Sequence, residues 1–348
     1  MPASLYTSNS KPAKGGSRLQ LIKFLKRSLI LLAMIVALDQ ATGLVMHQLY
    51  FNAKSGKEYE INYAFTKVAD DIIIIGSSKA RRNYNTPLLA DSMKMSCYNA
   101  GQDGQSLLFS YAMTQMILSH HKPKLIVVEM FPEELYYNEV HYDRLNVLLP
   151  YYADYPQVRE VANWRGIRNT DTASAFYKLF PYNIEKIKLL SQAYRYNSMW
   201  FDLLKGIFIK QQIESGFFPL HNTLTEKEKQ QYINKFEVMK RGERNRFIDP
   251  LKLKSLIRII NLCKENKLDV CMVMSPVLKR YNQDPVYILV NSLSKEMAVP
   301  LLDFTGDNRF NDIKYFADNH LNLTGATYFT SVLSSYLKNE LSNKMKAK

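Results

Sequence analysis

Ile72-Ile73-Ile74-Ile75-Gly76-Ser77-Ser78 is the stretch whose reading decides the fold. Four consecutive β-branched residues with no polar alternation read as a strand buried on both faces, which is the habit of parallel sheets. The Gly-Ser-Ser that follows stands at the C-terminal end of that strand, where open α/β sheets place their chemistry.

Outward from this strand the chain alternates. Thr86-Pro87 opens a helix, residues 95–99 form a short second strand, and residues 106–120 carry apolar positions at helical spacing. Residues 125–130 give a third strand. Asp249-Pro250 caps a helix running to about Lys267, residues 270–274 and 299–304 supply strands four and five, and residues 323–341 close the chain as an amphipathic helix. Alternation of this kind predicts right-handed crossovers and an α/β fold, a flavodoxin-like three-layer parallel sheet in the order 2-1-3-4-5.

Between residues 132 and 248 the rhythm breaks over a length too great for a connection, which predicts an inserted subdomain. Thr225-x-x-Glu228 is a capping-box signature, so the insert is expected to be mostly helical. It is rich in tyrosine: Tyr136, Tyr137, Tyr142, Tyr151, Tyr152, Tyr155, Tyr177, Tyr182, Tyr194, Tyr196 and Tyr232. Such rings can line a groove or form a lid, but most are expected to pack the insert on the sheet.

The N-terminus explains much of the charge. The formal net charge is +14, and residues 1–27 contribute Lys11, Lys14, Arg18, Lys23, Lys26 and Arg27 without an acidic residue. Residues 29–50 follow as 22 mostly apolar positions, about 33 Å as a helix and enough for a bilayer core of roughly 30 Å. The expected division is therefore a basic cytoplasmic tail (1–27), a signal-anchor (28–50), the sheet domain in two parts (51–131 and 249–348) and the insert (132–248), with everything after the anchor outside. Asp39-Gln40 interrupts the apolar run; a helix beginning nearer Leu19 would let Lys23, Lys26 and Arg27 snorkel while Asp39 nears the outer interface. A cleaved signal peptide ending near Ala41-Thr42-Gly43 is the alternative. The uneven charge gives no reason to expect nucleic acid. Cys97, Cys263 and Cys271 have no metal-ligand spacing and are odd in number, so neither a metal site nor a disulfide framework is expected.

A serine at the end of the first strand, with Ser77 and Ser78 both eligible, meets a second signal late in the chain. Asp318-Asn319-His320-Leu321-Asn322 lies between strand five and the last helix, at the sheet edge where Ser78 should stand. An acid beside a histidine can hold the ring's tautomer while the other nitrogen takes the serine proton, chemistry that needs no cofactor. Asn322 and Gly325 shape the helix entry. Arg81 and Arg82, just beyond the turn, are candidate contacts for an anionic polymer, with solvated helix charges as the alternative.

These residues resemble the SGNH/GDSL hydrolase superfamily over residues 70–130 and 250–340. The resemblance implies that Ser78 is the nucleophile, His320 the base and Asp318 its partner. It also implies that the N–H groups of Ser78 and Gly101, in Asn99-Ala100-Gly101, form an oxyanion hole, with Asn99 beside the substrate. The usual Asp stands three residues before the His, where this chain has Ala317; the Asp-x-His spacing is similar to the alginate O-acetyltransferase branch. Glu129-Met130-Phe131-Pro132 replaces the usual Gly-x-Asn-Asp, leaving the third oxyanion donor unassigned.

One membrane helix joined to an external domain of this type is similar to bacterial proteins that act with membrane-bound O-acyltransferases in alginate acetylation and teichoic acid D-alanylation. The implied function is an acyltransferase or esterase on O-acyl groups of an exported or cell-surface glycan. Its implied location is the bacterial cell membrane, single-pass, with the catalytic domain periplasmic or extracellular. A non-catalytic module that binds glycan or scaffolds a membrane complex is the rival expectation.

Overall fold

The computed structural model describes residues 14–165, 187–208, 214–242, 246–278 and 284–347. Five strands, β1 (Ile72–Ile75), β2 (Cys97–Asn99), β3 (Leu125–Glu129), β4 (Asp269–Met274) and β5 (Leu301–Asp303), form one sheet in the order β2-β1-β3-β4-β5. Every pairing is parallel, with Ile73 opposite both Tyr98 and Ile126, Val127 opposite Cys271, and Met274 opposite Asp303. The strand order is the one the alternation predicts.

The isoleucine run feeds both faces of the sheet, since successive side chains in a strand point to opposite sides. Ile73 and Ile75 join one core with Ile126 and Val128, while Ile72 and Ile74 join another with Val127 and Val273. Burial on both sides requires helices on both sides. In chain order the helices are α1 (Lys14–Phe51), α2 (Gly56–Thr66), α3 (Ser78–Asn83), α4 (Thr86–Met93), α5 (Leu107–Leu118), α6 (Glu139–Asp143), α7 (Pro156–Ala162), α8 (Trp200–Phe208), α9 (Glu226–Gly242), α10 (Pro250–Glu265), α11 (Pro285–Glu296) and α12 (Leu323–Ala347). The first core receives Phe65 of α2, Leu108 of α5, Ile259 of α10 and Val290 of α11; the second receives Leu89 of α4 and Phe329 of α12.

Local chemistry fixes the ends of these elements. Asp249 accepts from Leu251 N–H at 2.9 Å and Asp284 from Val286 N–H at 2.9 Å, each ahead of a proline at the first helical position. The start of α4 is shifted from the sequence expectation. Its cap is Asn85, whose Oδ1 accepts from Leu88 N–H at 3.3 Å, while Thr86 Oγ1 donates to the carbonyl of Ser215. Thr225 and Glu228 form the reciprocal capping box at the head of α9, at 2.8 and 3.2 Å.

The described parts of the insert consist of 3-10 turns, helices and a non-helical stretch over residues 217–225; most join the first core, while Phe217 and Leu224 join the second. Leu145, Leu148, Tyr151, Val158 and Val161 pack with the sheet residues, and Tyr142 donates to Asp249 at 2.7 Å. Tyr50 donates to Tyr151 at 3.2 Å, so the end of α1 is tied into the same core. Tyr177 and Tyr182 lie outside the described residues.

α1 contains one segment, Arg18–Phe51, long and apolar enough to cross a membrane, its most apolar stretch of 18 residues having a mean hydropathy of 2.1. Its side chains from 18 to 38 are exposed; from Asp39 onward one face turns inward, burying Gly43, Met46 and Tyr50.

Candidate active site

The site is assembled where β1 stops. Gly76 has φ +151°, and a Cβ there would stand 2.9 Å from the Cβ atoms of Ala80 and Glu129, so only glycine lets the chain turn this tightly against β3. α3 begins two residues later, at Ser78. His320, in the loop between β5 and α12, accepts the Ser78 hydroxyl on Nε2 at 2.7 Å and turns Nδ1 to Asp318 Oδ1 at 2.6 Å. Asp318 Oδ1 also accepts the backbone N–H of His320 at 2.7 Å. The carboxylate thus fixes which nitrogen carries the ring proton and leaves Nε2 free to accept. It is Ser78, not Ser77, that meets the imidazole.

The electrostatics suit a neutral ring. Burial lowers the pKa of His320 below the ordinary value, the hydrogen bond to Asp318 opposes this, and the Lys79 ammonium adds to the lowering. Burial resists ionisation of Asp318, yet hydrogen bonds from the His320 ring and backbone and the nearby Lys79 hold its carboxyl below the usual range. Lys79 is buried, its pKa pushed down to about 8 by desolvation against the attraction of Glu129 and Asp318. Its ammonium donates to the carbonyl of Asn319, between the acid and the base, and lies 4.7 Å from the centre of the Phe131 ring.

Behind these residues runs a buried polar chain. Glu129, at the end of β3, accepts from the hydroxyls of Tyr84 and Ser275, the latter at 2.7 Å. Ser275, just past β4, accepts in turn from Asn83 Nδ2 at 2.8 Å, and Asn83 Oδ1 takes the backbone N–H of Leu321 at 2.9 Å. Burial pushes the Glu129 carboxyl up to about 7 even though Tyr84 and Ser275 donate to it. The ends of β3 and β4, the end of α3 and the histidine loop are thereby held together. Sequence reasoning missed Asn83, Tyr84 and Ser275. The Ser-Pro pair directly after the fourth strand was the available signal, since it repeats the polar ending of the first.

The remaining sequence candidates sit as supports. Asn99 is fully buried and bridges two backbones, its Nδ2 donating to the Ala80 carbonyl at 2.6 Å and its Oδ1 accepting Gly101 N–H at 3.0 Å. The Gly101 N–H expected in an oxyanion hole is therefore already engaged. Arg81 is closed in an ion pair with Glu60 at 2.8 Å, and Arg82 makes a two-pronged contact to Asp103 at 3.1 and 2.7 Å. Both guanidinium groups lie over the ring of Phe218, at 5.1 and 5.2 Å.

Phe218 belongs to a strap across this edge that the sequence reading did not anticipate. Phe218 N–H donates to the Arg81 carbonyl at 3.0 Å, Asn222 to the Ala317 carbonyl at 3.2 Å, and Leu224 N–H to the Phe316 carbonyl at 2.8 Å. α9 adds Tyr232, which hydrogen-bonds Asn319 and whose pKa burial pushes up to about 12. At the entry of α12, Asn322 Oδ1 accepts Gly325 N–H at 2.9 Å. His120 and His121 hydrogen-bond backbone carbonyls, and His141 is half-buried against Lys252, its pKa lowered to about 3 by desolvation and by the Lys252 ammonium.

Chemically the arrangement can deprotonate one hydroxyl and stabilise the cation that results. Comparison with protein-family models gives no match, and comparison with curated proteins finds no relative.

Proposed function

We propose that this chain is a membrane-anchored SGNH-like acyltransferase or esterase acting, outside the cytoplasm, on O-acyl groups of an exported or cell-surface glycan. The observation that carries the reading is the Ser78–His320–Asp318 chain of hydrogen bonds at the C-terminal edge of a parallel sheet, at 2.7 and 2.6 Å. Ser78 Oγ adds to an acyl carbonyl as its proton passes to His320 Nε2. Collapse forms the acyl-serine ester and breaks the bond to the leaving group, which takes the proton from the imidazolium. A sugar hydroxyl or water then attacks the ester, with His320 again taking the proton and returning it to Ser78. α1 supports the membrane reading, and the basic residues at Arg18, Lys23, Lys26 and Arg27 support a cytoplasmic N-terminus. A membrane-bound O-acyltransferase is the partner such a layout would serve.

One observation favours a second reading. Gly101 N–H is taken by Asn99, as a non-catalytic module that binds glycan would permit. The two readings separate on acylation of the serine. Ser78→Ala should abolish labelling by a fluorophosphonate, and Ser77→Ala should leave it intact; failure of the folded wild type to label would favour the binding module.

A further inference from the structure

We propose that residues 187–204 form a wedge seated against the outer leaflet beside α1, with Ile187 and Leu190 in the acyl chains and Trp200, Phe201 and Leu204 at the interface above them. The proposal rests on α1 spanning the bilayer.

Asp39 lies within α1, and its carboxylate takes one long bond from Gln40 at 3.4 Å and three from the insert. It accepts from the Ser191 hydroxyl, from Gln192 N–H at 2.8 Å and from Ala193 N–H at 3.2 Å. One turn later a Cβ on Gly43 would stand 2.3 Å from Gln192 Cβ, so the two backbones touch. Near the end of the helix the ring of Tyr50 is 5.9 Å from that of Tyr196. Residues 191–196 therefore run along α1 from Asp39 to Tyr50, a rise of about 16 Å. Ile187 and Leu190 precede this stretch and lie at its membrane-ward end.

The depth of that end follows from the rest of α1. Leu44 and Val45, beyond Asp39, are 67% and 56% exposed. Exposed aliphatic side chains there extend the apolar surface of the helix past Asp39. A span of about 20 residues ending near His47 begins at Ser28, immediately after Lys26-Arg27. Asp39 then lies about 12 Å inside the hydrocarbon. An aspartate at such depth is tolerated where protein surrounds it and supplies donors. Three of its donors come from the insert, so the insert must enter the leaflet to provide them.

The surface of the insert at this point suits lipid. Leu190 is 76% exposed, Ile187 62% and Phe201 81%. α8 packs against α1 and α2, burying Leu203 and leaving Trp200, Phe201 and Leu204 outward. An apolar patch continuous with a membrane helix, carrying a Trp at its margin, is the pattern of an interfacial anchor.

The full-length protein in phosphatidylcholine–phosphatidylglycerol vesicles provides the test. Leu190→Cys, Phe201→Cys and, on α1, Leu31→Cys are each labelled with an environment-sensitive dye; the native thiols Cys97, Cys263 and Cys271 are buried. Lipids brominated along the acyl chain should quench the dye at all three positions. Trp200 gives a label-free check, because the only other tryptophan, Trp164, is buried; brominated lipid should quench its share of the emission. Quenching at position 31 with none at 190 and 201 overturns the wedge and leaves the anchor standing, whether those dyes are wet or shielded by protein. Absence of quenching at position 31 overturns both.

Discussion

The backbone N–H of Leu321 donates to Asn83 Oδ1 at 2.9 Å, tying the residue after the candidate base to the last residue of the helix that starts at Ser78. Asn83 Nδ2 donates to Ser275 at 2.8 Å, so one buried side chain sets the distance between the two halves of the site. Asn83→Ala would orphan the buried N–H of Leu321 and remove the donor to Ser275, whose hydroxyl keeps its bond to Glu129, costing about 1–3 kcal/mol of stability. It should also slow fluorophosphonate labelling of Ser78, since the loop bearing His320 loses its tie. Asn83→Asp keeps the acceptor for Leu321 and loses the donor to Ser275, so it should retain more of the labelling rate than Ala. Equal rates in wild type and Asn83→Ala, measured well below their melting temperatures, would show that the tie does not position the base.

Labelling should rise with pH and reach its plateau once His320 is neutral, with a midpoint below the ordinary imidazole value of about 6.5. The largest cause is burial, and Lys79 reinforces it. Lys79→Met removes a cation that disfavours the imidazolium, so the histidine pKa should rise and the midpoint should move to higher pH. A midpoint that stays in place in a folded variant would mean that Lys79 does not act on His320. The Asn319 carbonyl loses its donor in this variant, and the melting temperature separates that structural effect.

Glu129 makes a prediction about stability. Its folded-state pKa of about 7 exceeds the ordinary carboxyl value of 4.5, so folding takes up a proton between those values. Its favourable contribution is full below the unfolded pKa and is lost as pH rises through about 7. Lys79 works in another window: lowered to about 8, it contributes fully only above its unfolded value and loses that contribution as pH falls through about 8. Glu129→Gln should therefore flatten the decline in melting temperature between about pH 5 and 7. An unchanged slope would place the proton uptake elsewhere.

The parts of this architecture that were legible in the sequence are those with a periodic or terminal signature. Ile72–Ile75 has only one comfortable environment, and the Asp249-Pro250 cap and the Thr225-x-x-Glu228 capping box declare helix starts through backbone donors a few residues away. A serine after the first strand and His320 after the fifth were legible because both stand on the same sheet edge, a signal that left Ser77 and Ser78 equally eligible until the hydrogen bond to His320 placed Ser78. Asn83, Ser275 and Phe218 were not, since their partners lie far along the chain: Asn83 Nδ2 reaches Ser275 192 positions away. The meaning of Asp39 was hidden for the same reason. Read alone it is a flaw in an apolar helix, and only the approach of residues 191–193 supplies its donors.

Asp318 has two tasks that substitution can separate. Its Oδ1 receives both the backbone N–H of His320 at 2.7 Å and the ring Nδ1 at 2.6 Å. The first bond shapes the loop, and the second orients and charges the ring. Asp318→Asn retains an oxygen that the backbone N–H can hold in place, so the loop should survive while the ring loses the carboxylate that fixes its tautomer and balances its charge. Without that charge the imidazolium formed during acylation is no longer stabilised, and turnover should fall by roughly 10²-fold to 10⁴-fold, as when an orienting carboxylate is removed from a Ser-His-Asp triad. Loss of the carboxylate also removes a contribution that raises the His320 pKa, so the rising limb of the pH profile should move to lower pH. Asp318→Ala removes both bonds and should lower the melting temperature as well, by the roughly 1 kcal/mol typical of a lost side-chain-to-backbone bond. Single-turnover acylation and thermal melting on both variants distinguish the cases. A folded Asp318→Asn protein that acylates at the wild-type rate would leave Asp318 as a loop residue and His320 as the sole partner of Ser78.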